Sequence, residues 1–170
     1  MDTIFNNLLL RTAFSCMACD GEIAPDEVSL IKTISDKDNL FGDIDINSEL
    51  EKMVDEINKK GKNFLKEYLQ ELLSFNMTKE QELNILSVAY KMIKADKKIV
   101  YSEVKFFKII KSIMKQISDD QIIDSIVGIE DCFLAEDNKN MDYKKYYDLY
   151  FQTEDIKPFD YNTLSCLIKQ

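Results

Sequence analysis

Apolar residues recur three and four positions apart along most of this chain, the period of a helix with one buried face. The first such stretch, 3–19, sets Phe5, Leu8, Leu9, Ala13, Cys16 and Met17 on that period, with Thr3 placed to cap it. Asp20-Gly21 breaks the pattern, and Pro25 suits the first turn of a second helix carrying Val28, Ile31 and Ile34. Residues 36–48 are polar and acidic and read as a loop. Ser48 starts a third helix with Leu50, Met53, Val54 and Ile57, closed by Lys59-Lys60-Gly61. A fourth, 62–75, turns Phe64, Leu65, Tyr68, Leu69, Leu72 and Leu73 inward. Thr78 with Gln81 is a capping-box pair for a fifth helix reaching 95, a sixth covers 101–116, and Ser118 caps a seventh ending near Gly128. Beyond 129 the pattern loosens. Residues 142–152 are helical and aromatic-rich, and 159–168 predict a last short helix.

The scarcity of chain-turning residues, four glycines and two prolines in 170, agrees with long helices and few connections. The expected fold is therefore all-α. It is a compact bundle of about seven core helices over 1–128, with an acidic, aromatic-rich extension over 129–170 packed upon it.

The formal charge of −9 changes the list of partners. No Lys/Arg cluster is free of interleaved acids, so nucleic acid is not expected as a partner, nor an anionic membrane surface. Cations and basic proteins are favoured instead. No basic leader precedes an apolar run, and none approaches the ~20 residues of a spanning helix, so the expectation is a cytoplasmic protein without a transmembrane segment. The chain has no histidine, which removes Ser-His-Asp and Cys-His catalysis and every histidine-containing metal site. Cys16 and Cys19 form a C-x-x-C pair, but Cys132 and Cys166 supply no second pair, so buried thiols are expected rather than zinc ligands.

The chain repeats itself. Residues 13–34 and 89–110 align without gaps at an offset of 76, with identities at Ala13/Ala89, Asp20/Asp96, Ile23/Ile99, Glu27/Glu103, Val28/Val104, Lys32/Lys108 and Ile34/Ile110. Each copy reads helix, Asp, two residues, Ile, three residues, Glu, helix. Asp ends one helix, Ile plugs the loop into the core, and Glu meets the positive end of the next helix dipole. Two such units predict helix–loop–helix corners related by a pseudo-twofold. Cys16 and Cys19 align with Met92 and Ala95, ordinary packing residues.

The run Met17-Ala18-Cys19-Asp20-Gly21-Glu22-Ile23 followed by Glu27 resembles the signature of the TerB-like tellurite-resistance family. Lys94-Ala95-Asp96-Lys97-Lys98-Ile99 with Glu103 is similar to that family's second half. The resemblance covers roughly 1–127. It implies a pseudo-twofold helical bundle, a link to tellurite resistance and general stress response, and an acidic cluster that holds a divalent metal. It also implies kinship with a helical domain of membrane-anchored DnaJ-like co-chaperones. Lys97 stands where the second copy should have glycine, and Ala24 and Val100 stand where a capping Ser or Thr is usual.

For Asp20, Glu27, Asp96 and Glu103 two readings stand side by side. They could form a shared site for Ca²⁺ or Mg²⁺, which want oxygen ligands. Alternatively, each could stabilise its own corner by capping. Asp43-Ile-Asp45-Ile-Asn47 begins like an EF-hand loop, but Ser48 stands for the glycine and Val54 for the bidentate Glu, so it reads as a solvated loop. The stripe Tyr143, Tyr146, Tyr147, Tyr150 and Phe151 reads as a face packed on the bundle. With no nucleophile–base pair and no phosphate-cradling loop, the chain is expected to be a non-enzymatic binding module with a weak cation site at its corners. The alternative is a scaffold or co-chaperone-like interaction domain, of unknown protein partner, whose acidic corners are structural.

Overall fold

In a computed structural model, residues 3–95, 98–135 and 141–169 are described, with the side chains of 161–163 left aside. Among them the chain is all-helical: α1 (Thr3–Ala18), α2 (Pro25–Thr33), α3 (Ile46–Lys60), α4 (Lys62–Ser74), α5 (Lys79–Lys94), α6 (Tyr101–Ile113), α7 (Asp119–Ser125), α8 (Tyr143–Thr153) and α9 (Tyr161–Lys169). A π-type turn, Ile34–Asp38, follows α2, and a 3₁₀ turn, Asp131–Phe133, follows α7.

The repeat is visible in the boundaries. α1 ends at Ala18 and α2 starts at Pro25; adding 76 to each gives Lys94 and Tyr101, the end of α5 and the start of α6. The packing is reciprocal. α1 lies against α5, α1 also touches α6, and α5 touches α2, as a twofold requires. The plugs Ile23 and Ile99 are both half-buried against the core.

α1 is the central element. Leu8, Leu9, Leu10, Ala13, Phe14, Cys16, Met17 and Ala18 are all essentially inaccessible, because other helices surround it. α4 covers one side. Phe64 meets Phe14 edge-on at 5.4 Å, and Arg11 reaches Glu56 (3.5 Å) on α3 and Glu71 (3.3 Å) on α4. The extension is bound into the same core. α8 lies on α6, and α9 lies on α3 and α2. The tyrosine stripe packs as expected: Tyr150 and Phe151 are buried, while Tyr143, Tyr146 and Tyr147 are half-buried against the core.

Several boundaries differ from expectation. Thr3, expected as a cap, is already helical. α3 starts at Ile46 and not Ser48, because Asp45 is the cap: its carboxylate accepts the Ser48 N–H at 3.2 Å. The region read as a polar loop, 36–48, overlaps the end of the π-type turn and contains Phe41, which is fully buried. α6 stops at Ile113 instead of 116. The buried Glu82 carboxylate on α5 accepts the Lys115 N–H (3.0 Å) and the Gln116 N–H (2.9 Å), which draws that backbone away from the helix.

Candidate functional site

Each acidic corner is built by the same local chemistry. α2 begins after Ala24, which has no side-chain acceptor, and Pro25 takes the first turn. The orphan Ala24 N–H is satisfied from below, by Glu27 Oε1 at 2.8 Å. In the second copy, the Val100 N–H donates to Glu103 Oε1 at 3.0 Å. The backbone closes identically, with Glu27 and Val28 N–H groups on the Ala24 carbonyl (3.1 and 3.3 Å) and Glu103 and Val104 on that of Val100 (3.1 and 3.3 Å). Both carboxylates are buried, at 2% and 1% exposure. This is half a capping box: the glutamate's share is kept where the hydroxyl's is missing.

Asp20 terminates α1. Its Oδ1 accepts the Glu22 N–H at 2.9 Å, and Gly21 turns the chain at φ +85° while its N–H returns to the Ala18 carbonyl at 2.9 Å. That φ is strained for any residue with a Cβ, so the glycine is a requirement of the turn. Asp96 lies outside the described residues.

The two corners converge on α1's last turn. Burial pushes the Cys16 thiol well up from its ordinary value, and Glu103 and then Glu27 push it further. Cys19 is raised in the same way, first by burial, then by Cys16, Glu103, Asp20 and Glu27. Both thiols are therefore neutral and inaccessible, and Cys19 donates to the Cys16 carbonyl at 3.2 Å. A neutral thiol is a poor ligand and a poor nucleophile. The extension adds a member that sequence reasoning missed. The Tyr150 hydroxyl donates to the Cys19 carbonyl at 2.5 Å, and burial raises its pKa. No local signal links residues 131 positions apart.

Of the residues singled out as cation ligands, Asp20, Glu27 and Glu103 share the neighbourhood of Cys16 and Cys19. Among the described residues, however, no three Asp, Glu, Cys or His side chains gather in a metal-holding group. Glu27 and Glu103 each commit an oxygen to their own helix.

Outside this region, Lys105 on α6 is 5% exposed and donates to Thr153 Oγ1 at 2.6 Å, with Glu154 at 3.3 Å, which ties α8 to α6. Lys32 on α2 donates to the Leu167 and Ile168 carbonyls at the end of α9, where a cation complements the dipole.

No helix among the described residues is long and apolar enough to cross a membrane. No protein-family model, curated protein or solved structure matches the chain.

Proposed function

We propose that this chain is a non-enzymatic interaction domain of the TerB-like kind, whose acidic corners are structural joints. The observation that carries this is the position of Glu27 and Glu103: buried, equivalent, and each bonded to the backbone amide of the residue that precedes its own helix. A carboxylate so committed stabilises the fold whether or not a ligand is present. The chain's lack of histidine and its two neutral buried thiols support the non-enzymatic part. The tellurite and stress role, and the kinship to DnaJ-like co-chaperones, rest on the motif resemblance alone.

A second reading keeps a weak Ca²⁺ or Mg²⁺ site at the same corners. It is favoured by the burial of equivalent carboxylates, Glu27 and Glu103, from opposite halves of the repeat. Calorimetric titration and thermal melts with Ca²⁺ and Mg²⁺ separate the two. The interaction reading expects a flat titration at millimolar cation and an unchanged melting temperature. A saturable heat lost in Asp20→Asn, with a melting temperature that rises with cation concentration, replaces it with the cation reading. The interaction itself is checked by cross-linking in native lysate, identifying the captured protein by mass spectrometry, and rebuilding the pair from purified components. Failure to rebuild any pair overturns it.

A further inference from the structure

The extension is held to the bundle in two different ways, and the change falls after Ile156. α8 is built in: the Tyr150 and Phe151 rings are buried, Tyr150 packs 5.2 Å from Phe106, and its hydroxyl reaches the Cys19 carbonyl at 2.5 Å. Ile156, just past α8, is buried as well. Beyond it the hold is lighter. Among the described side chains of 157–169, only Leu164 and Ile168 are buried, with Phe159 and Leu167 half-buried.

The rest of the hold on α9 is polar and lies at its rim. Asn58 on α3 bonds the Phe159 backbone at both ends, at 2.8 and 3.2 Å. Ser165 donates to Glu51 Oε1 on α3 at 3.3 Å, and Lys169 lies 3.6 Å from the same oxygen. Lys32 on α2 donates to the Leu167 and Ile168 carbonyls. Lys32, Glu51 and Asn58 are all half-buried, so water reaches each of them as soon as α9 leaves, and parting orphans no polar group. α9 is nine residues long, too short to stay helical alone in water. Its helix is therefore a product of the groove between α2 and α3 in which it lies.

α9 also shows what that groove accepts. It takes aliphatic residues at i, i+3 and i+4 (Leu164, Leu167, Ile168), a lysine at i+5 facing Glu51, and the free carbonyls of a helix end on Lys32.

We infer that α9 is a releasable latch on a helix-binding groove, and that a partner protein's helix with this same pattern takes its place. The inference rests on the interaction reading and names its surface, its partner class and its internal competitor. The groove is a helix-in-groove site already filled by a segment of its own chain, so a partner binds only the fraction of molecules in which the latch is open.

The probe is a fluorescent peptide of residues 160–169 carrying Cys166→Ser, titrated by anisotropy against the full chain. It omits Phe159, so Asn58→Ala loosens the resident α9 without touching the peptide's own contacts. Ser165→Glu in the chain loosens α9 from its own side, by setting a carboxylate against Glu51. Saturable binding tighter than about 1 mM is expected for both variants, each about fivefold or more tighter than wild type. A peptide that also carries Leu164→Ala and Ile168→Ala should bind at least about tenfold more weakly. In an isotope-labelled chain, saturating peptide should speed amide exchange in α9 and leave α1 and α5 unchanged. No saturable binding, equal binding by wild type and both variants, or an α9 whose exchange ignores the peptide overturns the latch. If a rebuilt partner complex survives those failures, only the latch falls. If the peptide behaves as expected and no complex can be rebuilt, the interaction reading falls and takes the partner helix with it. A concentration-dependent dimer lost in the chain with Leu164→Ala and Ile168→Ala overturns the foreign partner in favour of α9 exchanged between copies.

Discussion

The side-chain amide of Asn58 is bonded at both ends to the backbone of Phe159: its Oδ1 accepts the Phe159 N–H at 2.8 Å, and its Nδ2 donates to the Phe159 carbonyl at 3.2 Å. A residue in the last turn of α3 thus serves the segment between α8 and α9 as a neighbouring strand would. Both groups are part-buried, so each loses a partner that water replaces poorly. Asn58→Ala should cost about 1–3 kcal/mol in urea unfolding. Amide exchange should accelerate first in α9, ahead of α1 and α5. Uniform acceleration would place the clamp's effect elsewhere.

The two corners predict a matched pair of substitutions. Glu27→Ala and Glu103→Ala should each destabilise by about 0.5–2 kcal/mol, because the Ala24 or Val100 amide that caps α2 or α6 loses its acceptor. Glu27→Gln and Glu103→Gln keep an acceptor oxygen and should cost less than the alanine changes. If the glutamine variants prove as damaging as alanine, negative charge rather than the hydrogen bond is what the corner needs.

Tyr150 allows ring and hydroxyl to be weighed separately. Tyr150→Phe removes only the bond to the Cys19 carbonyl and should cost about 1–2 kcal/mol. Tyr150→Ala also removes a buried ring packed 5.2 Å from Phe106 and should cost about 3–5 kcal/mol. Equal losses would mean that α8 does not depend on its ring packing.

The thiols and tyrosines set an alkaline limit. Burial raises Cys16 and Cys19 above their ordinary 9.0, and Tyr68 and Tyr150 above 10.0. Half-buried Tyr143 is pushed up to about 12, by burial first and Tyr147 second. The folded state holds these protons more tightly than the unfolded state. Their contribution is therefore complete below the unfolded values and is lost as pH climbs past them. Urea midpoints should begin to fall near pH 9 with the thiols and steepen above pH 10 with the tyrosines. Cys16→Ala with Cys19→Ala should remove the earlier part of the fall. A thiol reagent at neutral pH should modify exposed Cys132 and Cys166 quickly, and Cys16 and Cys19 only on unfolding.

The corners were legible because their chemistry is local. Asp20-Gly21, Pro25 and Glu27 lie within a few residues of the groups they serve, and duplication at 76 marks the same pattern again. Ser48 misled because Asp45, three residues earlier, competes for the same capping role and takes it. The longer reaches left no trace in sequence. Glu82 and the Lys115 amide, Asn58 and Phe159, and Tyr150 and Cys19 are paired by the fold alone. The acidic site was legible in composition but not in commitment. Spacing showed that Glu27 and Glu103 correspond, yet only the folded chain shows that both are buried and already bonded.

α1 is deeply enclosed, yet α5 and α6, against which it packs, lie far along the chain and end at residues 94 and 113. A nascent chain therefore carries Leu8, Leu9, Leu10, Phe14 and Met17 unshielded until the helices that cover them have left the ribosome. Its folding is governed by contacts between distant halves, so it should be slow for an all-helical chain of this length. In that interval the unshielded α1 is a ready target for holding chaperones and for aggregation.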